Sequence, residues 1–133
     1  MIYALDSNII SYMLKEDADV IIRYRQAFDD GIDFVIPPIV FYEVQRGLLA
    51  KKLNERLVKF NALCQKIKQR EFDMSVWQKA AQIYASLSQQ GNLIDDADIF
   101  IAAFCIANGY TLITNNTRHF KHIYGLQFVN WKN

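Results

Sequence analysis

Three carboxylates crowd one short stretch of this chain: Asp95, Asp96 and Asp98 stand just ahead of Ile99, Phe100, Ile101 and two alanines. Negative charges grouped beside apolar surface repel one another and lose solvation. Either they face water and cap a helix, or they hold a cation. Asp95 is a good N-cap, with Asp98 three residues on in a capping-box-like position, and first-turn acids suit the helix dipole. That account covers Asp95 and Asp96, which are read as structural. It covers Asp98 less well, because Ile94, Ile101, Ala102 and Cys105 share its face.

Two further acids raise the same question. Asp6 follows the apolar run Ile2–Leu5, where it can end a strand and cap a helix. Glu43 falls within or beside a stripe of Val40, Val44, Gly47 and Leu48, from which it can reach solvent or pair with a lysine. Acids that break an apolar pattern tend to fall at functional sites. Thr114 and Asn116 come just past another apolar run. His119 and His122 are too few for a zinc site and are expected on the surface.

The elements that must position these residues alternate. Ile2–Leu5 reads as a strand, with helix-start chemistry at Ser7 and Asn8. A helical stretch through Val20, Ile21, Tyr24, Ala27 and Phe28 closes at Asp30 and Gly31. Residues 34–36 read as a strand stopped by Pro37 and Pro38, and Pro38 suits the first turn of the helix that carries Glu43 towards Ala50. A basic helix spans 54–66. Ser75 can cap a long helix ended by Gly91. The acidic helix runs to Asn108 and Gly109, residues 111–114 form a buried strand, and 127–129 form a short edge strand. Strands separated by helices imply an α/β domain with a mainly parallel sheet covered on both faces. Ligands of such sheets gather at the carboxyl ends of the strands, so distant segments can deliver Asp6, Glu43 and Asp98 to one cleft.

Composition is that of one ordinary domain over residues 1–133. No run approaches the ~20 apolar residues of a membrane span, and no signal peptide is expected. Cys64 and Cys105 lack zinc or disulfide spacing and are expected as reduced core residues, which suits the cytoplasm. Net charge is +1 but lopsided. Residues 46–70 hold eight basic side chains (Arg46, Lys51, Lys52, Arg56, Lys59, Lys66, Lys68 and Arg70) against Glu55 alone. This block is either a phosphate-binding surface or a solvated helical face.

The segments "MIYALDSNIISYML", "IPPIVFYEVQRGL", "IDDADIFIAAFCIANGYTLITNNTRHF" and "GLQFVNW" resemble, in order and spacing, the PIN-domain ribonucleases, specifically VapC-like toxins of type II toxin–antitoxin pairs. The resemblance covers nearly the whole chain and implies a three-layer α/β/α fold. It further implies that Asp6, Glu43 and Asp98 form an acidic metal-binding and catalytic centre. Ser7 and Thr114 match small hydroxyl positions beside it and are taken as substrate-binding. Asn116 matches a position where many relatives have a fourth acid; an amide there can assist but adds no charge. Asp95 is an auxiliary candidate.

Oxygen-only ligands suit Mg²⁺, with Mn²⁺ as a substitute, rather than zinc. The expected activity is metal-assisted hydrolysis of RNA, transfer RNA being a candidate target, with water attacking phosphorus in line. Arg46, one turn beyond Glu43, is expected nearest the scissile phosphate, with Arg118 as a second candidate. Phosphate contacts by the basic block would make cleavage salt-sensitive. The implied partners are a small antitoxin and a second copy of the chain. Two alternatives remain: a catalytically weak PIN-like domain that binds RNA or a partner, and a receiver-type signalling module. The latter would want paired acids after the first strand, where this chain has Asp6 followed by Ser7 and Asn8.

Overall fold

The computed structural model describes residues 1–67 and 69–132. In chain order the elements are β1 (Ile2–Leu5), α1 (Ser7–Leu14), α2 (Ala18–Asp29), β2 (Asp33–Val35), α3 (Pro38–Ala50), α4 (Asn54–Lys66), α5 (Met74–Gln90), α6 (Asp96–Asn108), β3 (Thr111–Ile113), α7 (Thr117–Phe120) and β4 (Phe128–Val129). The four strands pair in the order β2-β1-β3-β4, every pair parallel. The α/β class and parallel sheet are as expected.

Burial explains the layering. Successive strand residues point to opposite faces, yet Ala4 and Leu5, Phe34 and Val35, and Leu112 and Ile113 are all buried. Both faces of the sheet are therefore covered. On the helices, α5 packs closely on α6, while α1 contacts α2, α3 and α4, and α3 contacts α4. A cluster of Tyr3, Tyr24, Phe34 and Trp131 rings, mostly edge-to-face, seats the C-terminal segment against β1 and β2.

The strand order places a switch point between β1 and β3. From β1 the chain crosses to β2 on one side, then returns over α3 to α6 and enters β3 on the other side. The carboxyl ends of β1 and β3 thus border the crevice where such sheets bind ligands. Gly109 makes the return tight: at φ 72° it caps α6, its amide reaching the carbonyls of the last turn, and β3 starts two residues later.

Several local expectations need correction. Asp73, not Ser75, is the N-cap of α5, and its carboxylate accepts the Ser75 and Val76 amides. Of the two helix-start readings, it is the Asp6 carboxylate that caps α1, as expected of it. Asp95 does occupy the N-cap position of α6, but its side chain makes no capping hydrogen bond. The short helix α7 is an addition to the expected elements. Lys68 of the basic block lies outside the described residues.

Candidate active site

Asp6 joins the end of β1 to the start of α1. Its Oδ1 accepts the Ser7 amide at 2.7 Å, and its Oδ2 accepts the Thr114 hydroxyl at 2.7 Å and the Asn8 amide nitrogen at 3.2 Å. The residue is only 2% exposed. Burial pushes its carboxyl above the ordinary range; the Thr114 and Ser7 hydrogen bonds oppose the rise, and the charge of Asp98 adds to it. Thr114, wholly buried just past β3, also accepts the Asn116 amide at 3.0 Å. Asn8 completes the link between the two strand ends by accepting the Asn115 amide at 2.9 Å.

Glu43 lies in the second turn of α3. Its Oε1 is buried with no hydrogen-bond partner among the described residues. Burial raises its pKa first, then the charges of Asp6 and Asp98; Arg46 lowers it and Asp95 raises it again. Asp6, Glu43 and Asp98, drawn from three distant segments, are therefore electrostatic neighbours. Arg46 is close enough to offset part of the repulsion, and its guanidinium lies 5.0 Å from the Tyr42 ring.

Asp98 sits on α6 among buried neighbours, with Ile101, Ala102 and Cys105 wholly buried. Its Oδ2 stands 2.7 Å from His119 Nδ1. The expectation that His119 is a plain surface residue is corrected in part: the ring is half-exposed, but it is tied to this carboxylate. His122 is exposed as expected. Asp95 and Asp96 are exposed, the arrangement open to water that their grouped charge favours.

Among the described residues, no three His, Cys, Asp or Glu side chains are gathered closely enough to hold a metal ion between them. Asp6, Glu43 and Asp98 do not form such a group. Their oxygen donors, including the orphaned Glu43 Oε1, fit a hard divalent cation better than zinc.

Of the three acids, Glu43 opens onto a cleft of about 350 Å³. Glu43, Asn116, Ser7 and Asn8 line it, and Lys15, Lys51 and Arg56 complete its wall. Asn116 is exposed there. The basic block divides: Lys51 and Arg56 face this cleft, Lys59 pairs with Glu16 at 3.2 Å, and Lys66 and Arg70 border a separate pocket. Arg118 is exposed on α7. Cys64 and Cys105 are both free, and burial raises both thiols.

The model of the PIN-domain family matches residues 3–126. Ribonuclease VapC2 of Rickettsia felis is 30% identical over 132 residues, covering 98% of each chain. This chain belongs to the PIN-domain family, among the VapC proteins. Another VapC relative, the tRNA(fMet)-specific endonuclease VapC of Shigella flexneri, is 27% identical, with 97% of each chain covered. In three dimensions this PIN domain is similar to a chain of the Rickettsia felis VapBC2 structure, solved bound to a DNA fragment from their promoter. The TM-score is 0.91 at 28% identity, covering 99% of this chain and 100% of that one.

Sequence reasoning singled out Ser7, Glu43 and Asn116, which line the cleft, Thr114, which hydrogen-bonds Asp6, and Asp6, Asp98 and Arg46, whose charges act on Glu43. It missed Asn8 and Asn115 as a clamp between strand ends, His119 as a partner of Asp98, and Lys15 as a cation of the cleft. Asn8 carried a signal, since it follows Asp6 by two residues at a helix start. Lys15 carried none, lying in the acidic N-terminal third of the chain.

Proposed function

We propose that this PIN domain is a divalent-metal-dependent endoribonuclease, the toxin of a toxin–antitoxin pair, hydrolysing RNA phosphodiester bonds. The observation that carries the reading is the joining of opposite charges in one crevice. Mutually repelling acids with an orphaned Glu43 Oε1 adjoin a wall bearing Lys15, Lys51 and Arg56. Acids alone would repel RNA, and cations alone would bind it without cutting.

Asp6 and Asp98 would hold the cation, Mg²⁺ or Mn²⁺, and Glu43 would complete its shell or position the attacking water. When bound, the ion lowers the pKa of a coordinated water and offsets charge on the phosphodiester. The protein's own groups do the remainder. Ser7 and Thr114 align Asp6 through hydrogen bonds that oppose the upward push of burial on its carboxyl. Glu43 Oε1 accepts a hydrogen bond from the water whose oxygen bonds to phosphorus as one ester P–O bond breaks. Asn116 assists at the rim without adding charge. Arg46 and the cleft cations hold flanking phosphates.

The names of the relatives support RNA as substrate, and the Shigella flexneri protein makes transfer RNA the first class to test. The Rickettsia felis complex supports a small antitoxin as partner. A homodimer and a cytoplasmic site of action belong to the same proposal. No helix of the described residues is long and apolar enough to cross a membrane.

The test is incubation of purified protein with total RNA, with and without Mg²⁺ or Mn²⁺, beside Asp98→Asn. Cleavage that needs metal and is lost in the variant is the expected result. Equal cleavage by both proteins overturns the site assignment. Binding without cleavage by folded, metal-loaded protein favours a domain that only binds.

A further inference from the structure

Asp98 ends against His119. Nδ1 lies 2.7 Å from Oδ2 across 21 positions of chain. A carboxylate is acceptor-only, so Nδ1 carries the hydrogen. No other hydrogen bond to the Asp98 side chain occurs among the described residues. The carboxylate is 15% exposed and the ring 48%. An exposed ring contributes little to the core, yet the segment that carries this one is anchored on both sides. Phe120, the next residue, is wholly buried, and the His119 amide donates to the Asn116 carbonyl at 3.0 Å. The Asn116 amide in turn donates to Thr114 Oγ1, the hydroxyl that donates to Asp6 Oδ2. One short segment, 114–120, thus ends in hydrogen bonds to two carboxylates that come from different elements.

We infer that His119 is a positioning residue for the metal centre: its Nδ1–H fixes Asp98 through Oδ2 and leaves Oδ1 as the ligand oxygen. This rests on the reading of Asp98 as a metal ligand given above. An ionised side chain already held at one oxygen loses less freedom when the other binds a cation. Partners of this kind typically govern metal affinity by about 10–100-fold. Thr114 does the same for Asp6, so the segment after β3 sets the spacing of two acids at once. Glu43 has no counterpart among the described residues.

The experiment is titration with Mn²⁺ alone, by calorimetry or by the paramagnetic resonance of the free ion. The proteins are the native chain, His119→Ala, His119→Asn, His119→Gln and Asp98→Asn. Asparagine presents its amide nitrogen close to where Nδ1 stands, and glutamine presents it close to where Nε2 stands. We expect His119→Ala and His119→Gln to weaken Mn²⁺ binding by about 10–100-fold, His119→Asn to recover most of it, and Asp98→Asn to abolish it. The metal-free melting temperature should scarcely move in the His119 variants, because the ring is half-exposed. Native affinity in His119→Ala, or tighter binding, with binding lost in Asp98→Asn, overturns the role of His119 and leaves Asp98 a ligand. Equal affinity in the asparagine and glutamine variants overturns the Nδ1 geometry. Mn²⁺ binding that survives Asp98→Asn overturns the reading of Asp98 itself, and this inference with it.

Discussion

The acids at the end of β1 and the start of α6 and the acid on α3 are built in opposite ways. Asp6 accepts hydrogen bonds from Ser7, Asn8 and Thr114, and Asp98 is tied to His119. Glu43 has a buried oxygen with no partner among the described residues and the charges of Asp6 and Asp98 nearby. The first two are fixed before any ligand arrives, while the third waits for one. On the proposed reading, the fixed pair would define where a cation sits, and the unsatisfied acid would gain most when the cation or the attacking water comes. A second contrast lies along the cleft, where the acid end gives way to Lys15, Lys51 and Arg56. The acid end is suited to chemistry and the basic wall to holding a polyanion.

The largest effect should come from the fixed pair. Asp6→Asn and Asp98→Asn are expected to lower RNA cleavage by more than about 100-fold, beyond the loss typical of a ligand's outer partner. RNA binding should persist in both, because each change removes negative charge. Filter binding beside a cleavage assay would separate the two; joint loss of binding and cleavage would break the division of labour.

Next in size is the basic wall. Lys51→Glu with Arg56→Glu should raise KM roughly tenfold at low salt and leave kcat nearly unchanged. The salt dependence should flatten by about one log–log unit for each phosphate that is no longer neutralised. An equal fall in kcat would place these cations at the reacting phosphate instead.

The smallest effect concerns stability. Glu43 is raised above its ordinary value of 4.5, so the folded, metal-free protein takes up a proton there more readily than the unfolded chain. Its penalty is fully present above the raised pKa and fades as pH falls towards 4.5. Glu43→Gln should therefore raise the metal-free melting temperature by a few degrees at pH 7, with the gain vanishing in acid. A destabilised variant at pH 7 would mean that Glu43 has a partner in solution after all.

Much of this site could be read from spacing. The strand Ile2–Leu5 and the helix Asn54–Lys66 keep the expected bounds, because apolar period and flanking breakers act locally. Asp6, Glu43 and Asp98 stood out because each interrupts an apolar face, and that interruption is written in sequence. The parts that escaped are tertiary. The bond from His119 to Asp98 spans 21 positions, and the clamp from Asn8 to Asn115 spans 107; no periodicity reports either. The helix α7 is only four residues long, too short to show a period, and is held by Phe120 in the core. Asp95 drew a capping assignment from its position, yet its carboxylate makes no such bond, since exposed acids can be solvated by water instead. The basic block looked like one surface in sequence but divides among different faces once α3 and α4 fold.

The most direct test is anomalous diffraction from crystals of the protein soaked in Mn²⁺. We predict a single strong peak within about 2.2 Å of carboxylate oxygens of both Asp6 and Asp98, with Glu43 turned towards it directly or through water. A peak bound elsewhere, or Asp6 and Asp98 left unligated in crystals that hold Mn²⁺ at other sites, would contradict a metal centre built on those two acids.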